Sequence, residues 1–214
     1  VKWLVVFNYL SAATILVPLI LFVFYKGFAD NALRPLGILL FISASVEAFS
    51  VIAAFEGLNN LWLMYPFLIV EFLCLFFVFH QLQVRKIPHY VLLIMLLFLG
   101  GIEVFEIFYV NGLWKFGAIS RTAESALLVG VSLYAFIDIL KNEKSIYLQN
   151  VPLFWLAVSV LLYSAGNLFV FSSYNILSYA DRTNYWMVHA VLNIAFNLLL
   201  TKFIQCQAVQ YKFR

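Results

Sequence analysis

Charge is scarce in this chain: Asp, Glu, Lys and Arg together make up 11% of its 214 residues, against about 25% in an ordinary soluble domain. Too little polar surface remains to clothe a globule in water, so water is not its main solvent. Cysteine is nearly absent as well. Cys74 and Cys206 lie inside apolar segments with no paired spacing, which argues against a disulfide framework and against a thiolate metal motif. Both are expected to act as small core hydrophobes. Basic residues occur singly or in pairs and never as a patch, so the net charge of +3 gives no reason to expect nucleic acid as a partner. Glycine-rich phosphate loops, a nucleophile elbow and an HExxH pattern are missing too. Of the three histidines, His80 and His89 flank a loop, and His189 alone cannot build a zinc site. No metal or other cofactor is expected.

Hydrocarbon fills the space left by charge. The chain is 65% hydrophobic and 19% aromatic, and it runs apolar for about 20 residues at a time, the length a helix needs to cross a bilayer. Barrel strands would alternate apolar and polar every second residue, which these runs do not do. Helices also satisfy all their backbone polar groups internally, as a bilayer demands. The fold class expected is therefore an all-α integral membrane protein, a bundle of seven transmembrane helices forming one domain over residues 1–214. Its spans are Trp3–Tyr25, Pro35–Ala54, Leu61–His80, Pro88–Val110, Phe116–Leu140, Pro152–Phe171 and Asn184–Cys206.

Pro35, Pro88 and Pro152 open three of these spans, at positions where a missing N–H has no intrahelical partner to lose. Pro18 lies within the first span and should kink it. That span is too long for the apolar region of a signal peptide and is expected to be retained. Lys26, Arg34, Arg85, Lys86, Lys141, Lys144, Lys212 and Arg214 gather on one side of the spans, with Lys2, Lys115 and Arg182 on the other. Because cytoplasmic loops carry the excess of Lys and Arg, this bias puts the N-terminus outside and the C-terminus in the cytoplasm. A multi-pass protein of a plasma or inner membrane follows. The layout looks like that of receptors in general, a likeness of shape that carries no residue roles across. Lys202 sits near the end of the last span, not mid-membrane where a retinal Schiff base would need it.

Ionisable groups inside a bilayer are expensive and tend to face a bundle interior or a wet cavity, so their depth in each span carries information. Glu71, in the middle of "YPFLIVEFLCLFFVF", is about ten residues and roughly 15 Å deep. Ser43, Glu47 and Ser50 share one face of the second span, a pattern suited to close helix contact. Arg121 and Glu124 are one turn apart at the start of the fifth span. Glu103 and Glu106 close the fourth and either reach headgroups or join the same interior. Tyr185, His189, Asn193, Asn197 and Thr201 recur every four residues down the last span, with Tyr163 and Asn167 of the sixth as facing partners. Asp138, three residues before Lys141, reads as a solvated helix terminus.

Placed on one depth scale, the costly groups fall at or outside the midplane and the inner half is nearly pure hydrocarbon. An outward-facing polar pocket is expected, with Glu47, Glu71, Arg121, Glu124, Tyr163, Asn167, His189, Asn193 and Asn197 as ligand-binding residues. The function expected is that of a non-enzymatic sensor, receptor-like protein or accessory subunit. It would bind a small ligand, proton or membrane lipid and signal to a protein partner through its cytoplasmic loops and C-terminal tail. A proton-coupled transporter or channel is the alternative, followed by an intramembrane lipid-modifying enzyme with His189 as base.

Overall fold

The structure, a computed structural model, describes residues 2–83, 85–142, 147–174 and 179–212. Lys144 and Arg214, two of the residues used above to orient the chain, lie outside these. Among the described residues there are eight α-helices and no strand: α1 (Lys2–Thr14), α2 (Leu16–Phe24), α3 (Arg34–Glu56), α4 (Met64–Leu82), α5 (His89–Phe105), α6 (Ala118–Asn142), α7 (Pro152–Ser173) and α8 (Tyr179–Lys212). Seven segments, the first of them the broken pair α1–α2, are long and apolar enough to cross a membrane.

Helix breaks and ends follow local chemistry. The first span is interrupted at Ile15, one turn before Pro18, whose missing N–H leaves the Thr14 carbonyl without its helical donor. Past the break, Leu19 N–H bonds Ile15 O at 3.3 Å. α3 ends on Gly57 in the left-handed region, φ 68°, with Leu58 N–H reaching back to Ala53 O at 2.8 Å, a Schellman closure that glycine makes without strain. α5 widens into a π turn over Glu106–Val110, closed by Asn111 N–H on Glu106 O at 2.9 Å. α8 runs well past the expected end at Cys206, to Lys212. The sequence places polar Gln207 and Gln210 there, and tertiary partners keep the last turns helical.

α6, α7 and α8 pack in succession as antiparallel neighbours. α8 also packs on α1 and α2, α2 on α3, α3 on α4, and α4 on α6 and α7. The bundle thus has two faces: an amino-terminal face, where α1, α4, α6 and α8 begin, and a carboxy-terminal face, where α8 ends. Inside, Phe72, Leu75, Phe76 and Phe79 of α4 meet Leu128, Val131 and Ala135 of α6, Leu156, Ala157 and Val160 of α7, and Phe203 and Ile204 of α8. The spacing on α4 of three and four residues is one helix face turned to the core. Phe22 is fully buried against the backbone at Gly37, an approach that a side chain there would block. The outer surface is apolar as well, with Leu93, Ile94, Leu97 and Phe98 of α5 and Ile38, Phe41, Phe49 and Ile52 of α3 exposed. So broad a hydrophobic exterior is what a lipid-facing surface requires.

Candidate functional site

Arg121 is the hub. It lies in the first turn of α6, a helix whose start is held by a carboxylate from the preceding span: Glu106 Oε1 accepts from Ile119 N–H at 3.0 Å, and Oε2 from Ser120 N–H at 2.7 Å and Ser120 Oγ at 2.6 Å. The first N–H groups of a helix have no internal partner, so a negative group here is favoured by both hydrogen bonding and the helix dipole. Glu106 is therefore a tertiary helix cap, fully buried, and does not reach headgroups. Glu103, also buried, does not reach them either. The sequence alone gave no sign of this cap, because the donors lie more than ten residues further on.

Held this way, Arg121 donates from Nη1 to Glu71 Oε2 at 2.5 Å and to Glu124 Oε2 at 2.6 Å. Nη2 donates to the Tyr163 hydroxyl at 3.3 Å. All four side chains are buried. The Arg121–Glu124 relation within one helix is present, but the pair does not snorkel outward; it faces in and is joined by Glu71 from α4. Glu124 Oε1 has no hydrogen-bond partner among the described residues. One guanidinium thus stands against two contacting carboxyl groups, and Glu47 brings a third into the same cavity. Surplus negative charge in a low-dielectric interior requires protons or a cation.

The stripe on α8 divides between two neighbours. His189 Nδ1 lies 2.8 Å from Asn167 Oδ1 of α7, which makes Nδ1 the protonated nitrogen where the amide oxygen is the acceptor. Lower down, Asn193 Nδ2 donates to Ser11 Oγ at 2.9 Å and Asn197 Nδ2 to Thr14 Oγ1 at 3.0 Å. Those partners belong to α1 and not, as expected, to the sixth span. Ser11 and Thr14, three residues apart on the first span, were the legible sign that a polar stripe had a second partner. Thr201 Oγ1 bonds its own helix at Asn197 O, 2.8 Å.

The polar groups converge. Glu47, Glu71, Arg121, Tyr163, His189, Asn193 and Asn197 line one cavity of about 90 Å³. Glu124 and Asn167 stand directly behind it, bonded to Arg121 and His189. Tyr163 stacks on Phe196 at 4.5 Å to close one wall. Toward the amino-terminal face a vestibule of about 220 Å³ adjoins this chamber, with Phe67, Phe116, Phe171 and Trp186 in its walls and Glu47, Arg121 and His189 shared with the chamber. The Ser43, Glu47, Ser50 face of α3 borders these cavities. Glu47 itself is half-buried and makes no hydrogen bond or ion pair among the described residues.

The carboxy-terminal half differs from expectation. A larger polar cavity, about 460 Å³, lies there among Asp30, Asp138, Asn142, Gln207 and Gln210. Asp138 is 3% exposed and accepts from Arg85 N–H at 3.2 Å and Asn142 Nδ2 at 2.6 Å; it is not a solvated terminus. Asp30 accepts from Ala32 N–H at 2.8 Å and Gln207 Nε2 at 2.7 Å. The extra turns of α8 fold this end over the loop after α2, with the Tyr211 hydroxyl on Ala29 O at 3.3 Å. Among the described residues no group of three His, Cys, Asp or Glu side chains is placed to hold a metal ion.

Fold and site together define a class: an all-helical protein with seven helices fit to cross a membrane and a charged interior pocket. No family model matches the chain, and comparison with curated proteins and with solved structures returned no match.

Proposed function

We propose that this is a multi-pass membrane protein, N-terminus outside, that binds a small cationic or hydrogen-bond-donating ligand in the pocket at its amino-terminal face. It acts as a sensor or accessory subunit, passing the bound state to a protein partner at the carboxy-terminal face. The observation that carries this reading is the convergence of Glu47, Glu71, Arg121 and His189 on one cavity, where Glu47, unlike Glu71, has no hydrogen bond or ion pair among the described residues. A carboxylate tied off by arginine serves the fold, whereas an untied one beside aromatic walls offers both charge and ring faces to a cation. Protein in lipid nanodiscs should bind butylamine saturably, and Glu47→Gln should weaken that binding by about tenfold or more. Identical titrations of Glu47→Gln and wild type would sink the proposal.

A second reading, a cation- or proton-coupled transporter, is favoured by the polar cavity at the opposite face. Between the two cavities lies an apolar layer of Leu36, Leu40, Phe76, Leu200 and Phe203, which would have to part for passage. Along α8 the ten residues from Asn197 to Gln207 make that layer about 15 Å thick. Liposomes loaded with the amine discriminate the two readings, since a sensor moves no net solute.

A further inference from the structure

Glu47 borders a third space. On its outer side α1 and α3 part to leave a cleft of about 350 Å³, bounded by Asn8, Tyr9 and Ala12 on α1 and by Ser50, Val51 and Ala54 beside Glu47 on α3. Its cause lies in the chain. The break before Pro18 lets the two halves of the first span take different courses: both pack on α8, α1 being held there by the Asn193–Ser11 and Asn197–Thr14 bonds, while α2 packs on α3 as well, more closely than α1 does. Small residues on both walls, Ala12, Ser50 and Ala54, leave the gap unfilled. Tyr9 and Phe55 stack across it at 6.2 Å, and beside that bridge its flanks carry exposed Leu10, Phe49 and Ile52, so it borders an apolar surface sideways and not only the amino-terminal face.

We propose that the pocket takes a single-chain amphiphile with an ammonium head, which enters from the bilayer through the cleft between α1 and α3. The inference rests on the pocket reading above and narrows its ligand. The head sits against Glu47, at the junction of cleft, chamber and vestibule, with Phe67 and Trp186 offering ring faces to the positive charge. The inner chamber has room for only a few non-hydrogen atoms, which suits an amine and not a bulky headgroup. The alkyl chain stays in the cleft, exchanging bilayer hydrocarbon for a protein wall of similar polarity. Anionic amphiphiles are rejected, because Glu47 and Glu71 in the cavity and Glu124 behind it set three carboxyl groups against one guanidinium, and an added negative charge there is uncompensated.

The test uses the full chain in nanodiscs and a dodecylamine bearing a photoreactive group midway along its chain. Wild-type protein should be labelled on α1 and α3 at residues walling the cleft, and unlabelled dodecylamine should compete where dodecanol and dodecanoate do not. Labelling spread evenly over the outer helix surfaces, or equal competition by dodecanol, would overturn the inference. In a second arm, Ala12→Trp and Ala54→Trp fill the cleft from either wall. Each should weaken dodecylamine by about tenfold while leaving butylamine binding unchanged. If dodecylamine binds these variants as well as wild type, the lateral route is wrong although the pocket stands. If Glu47→Gln leaves butylamine and dodecylamine equally unaffected, the pocket reading itself has failed.

Discussion

Two polar cavities occupy opposite ends of this bundle, and they treat their carboxylates differently. At the carboxy-terminal end Asp30 and Asp138 each accept from a backbone N–H and a side-chain amide. Their hydrogen bonds join a loop to a helix end, so this cavity reads as a structural closure that happens to leave space. At the amino-terminal end Arg121 holds Glu71 and Glu124 by charge and Glu106 caps α6, while Glu47 and the Oε1 atoms of Glu103 and Glu124 have no hydrogen-bond partner among the described residues. Polar groups that are all satisfied locally stabilise the fold. A set with acceptors left over is the better candidate for a ligand site, because the missing partner can come from outside.

That contrast can be broken by substitution. The largest effect is expected at Arg121. Arg121→Met strands two buried carboxyl groups and should destabilise the protein by about 3–5 kcal/mol, seen as a fall in thermal midpoint in detergent; adding Glu71→Gln and Glu124→Gln should restore most of the loss. If the single change is harmless, the hub is not the electrostatic centre described. Next comes Glu106→Ala, which leaves the Ile119 and Ser120 donors without an acceptor at the start of α6. A loss of about 2 kcal/mol should accompany faster amide exchange in that first turn. Asp30→Asn, at the other cavity, should cost about 1 kcal/mol and leave butylamine binding untouched; a change in binding would erase the distinction between the two ends. The smallest stability effect belongs to Glu47→Gln, within about 0.5 kcal/mol, although it should have the largest effect on ligand. Substantial destabilisation at Glu47 would mean it is structural after all.

Much of the site was legible before any coordinates. Glu71 and His189 are legible because charge or imidazole deep in a hydrophobic run has few tolerable surroundings, and their depth alone marks them. Depth does not reveal direction. The sequence could show that Asn193 and Asn197 share a helix stripe, but not that the stripe turns from α7 to α1 as it descends. Nor could it show that Glu106 looks forward to cap a helix that begins twelve residues later. Asp138 differs from its expected exposure for a related reason: a polar residue near a span end looks solvated until another element is found to bond it, as the loop after α4 does here through Arg85 N–H.

Hydropathy and helical spacing, properties each segment carries by itself, determined that this protein would be a bundle of about seven apolar helices with Glu71 and His189 deep among them, and that Pro18 would interrupt the first. Tertiary structure decided which acids would be neutralised by Arg121, which would be spent on a helix start, that Glu47 would be left free, and where the bundle would part to leave a cleft. Those outcomes depend on distances between residues up to nearly two hundred positions apart. A hydrogen bond or ion pair exists only when such groups come within about 3 Å, and no local pattern encodes that.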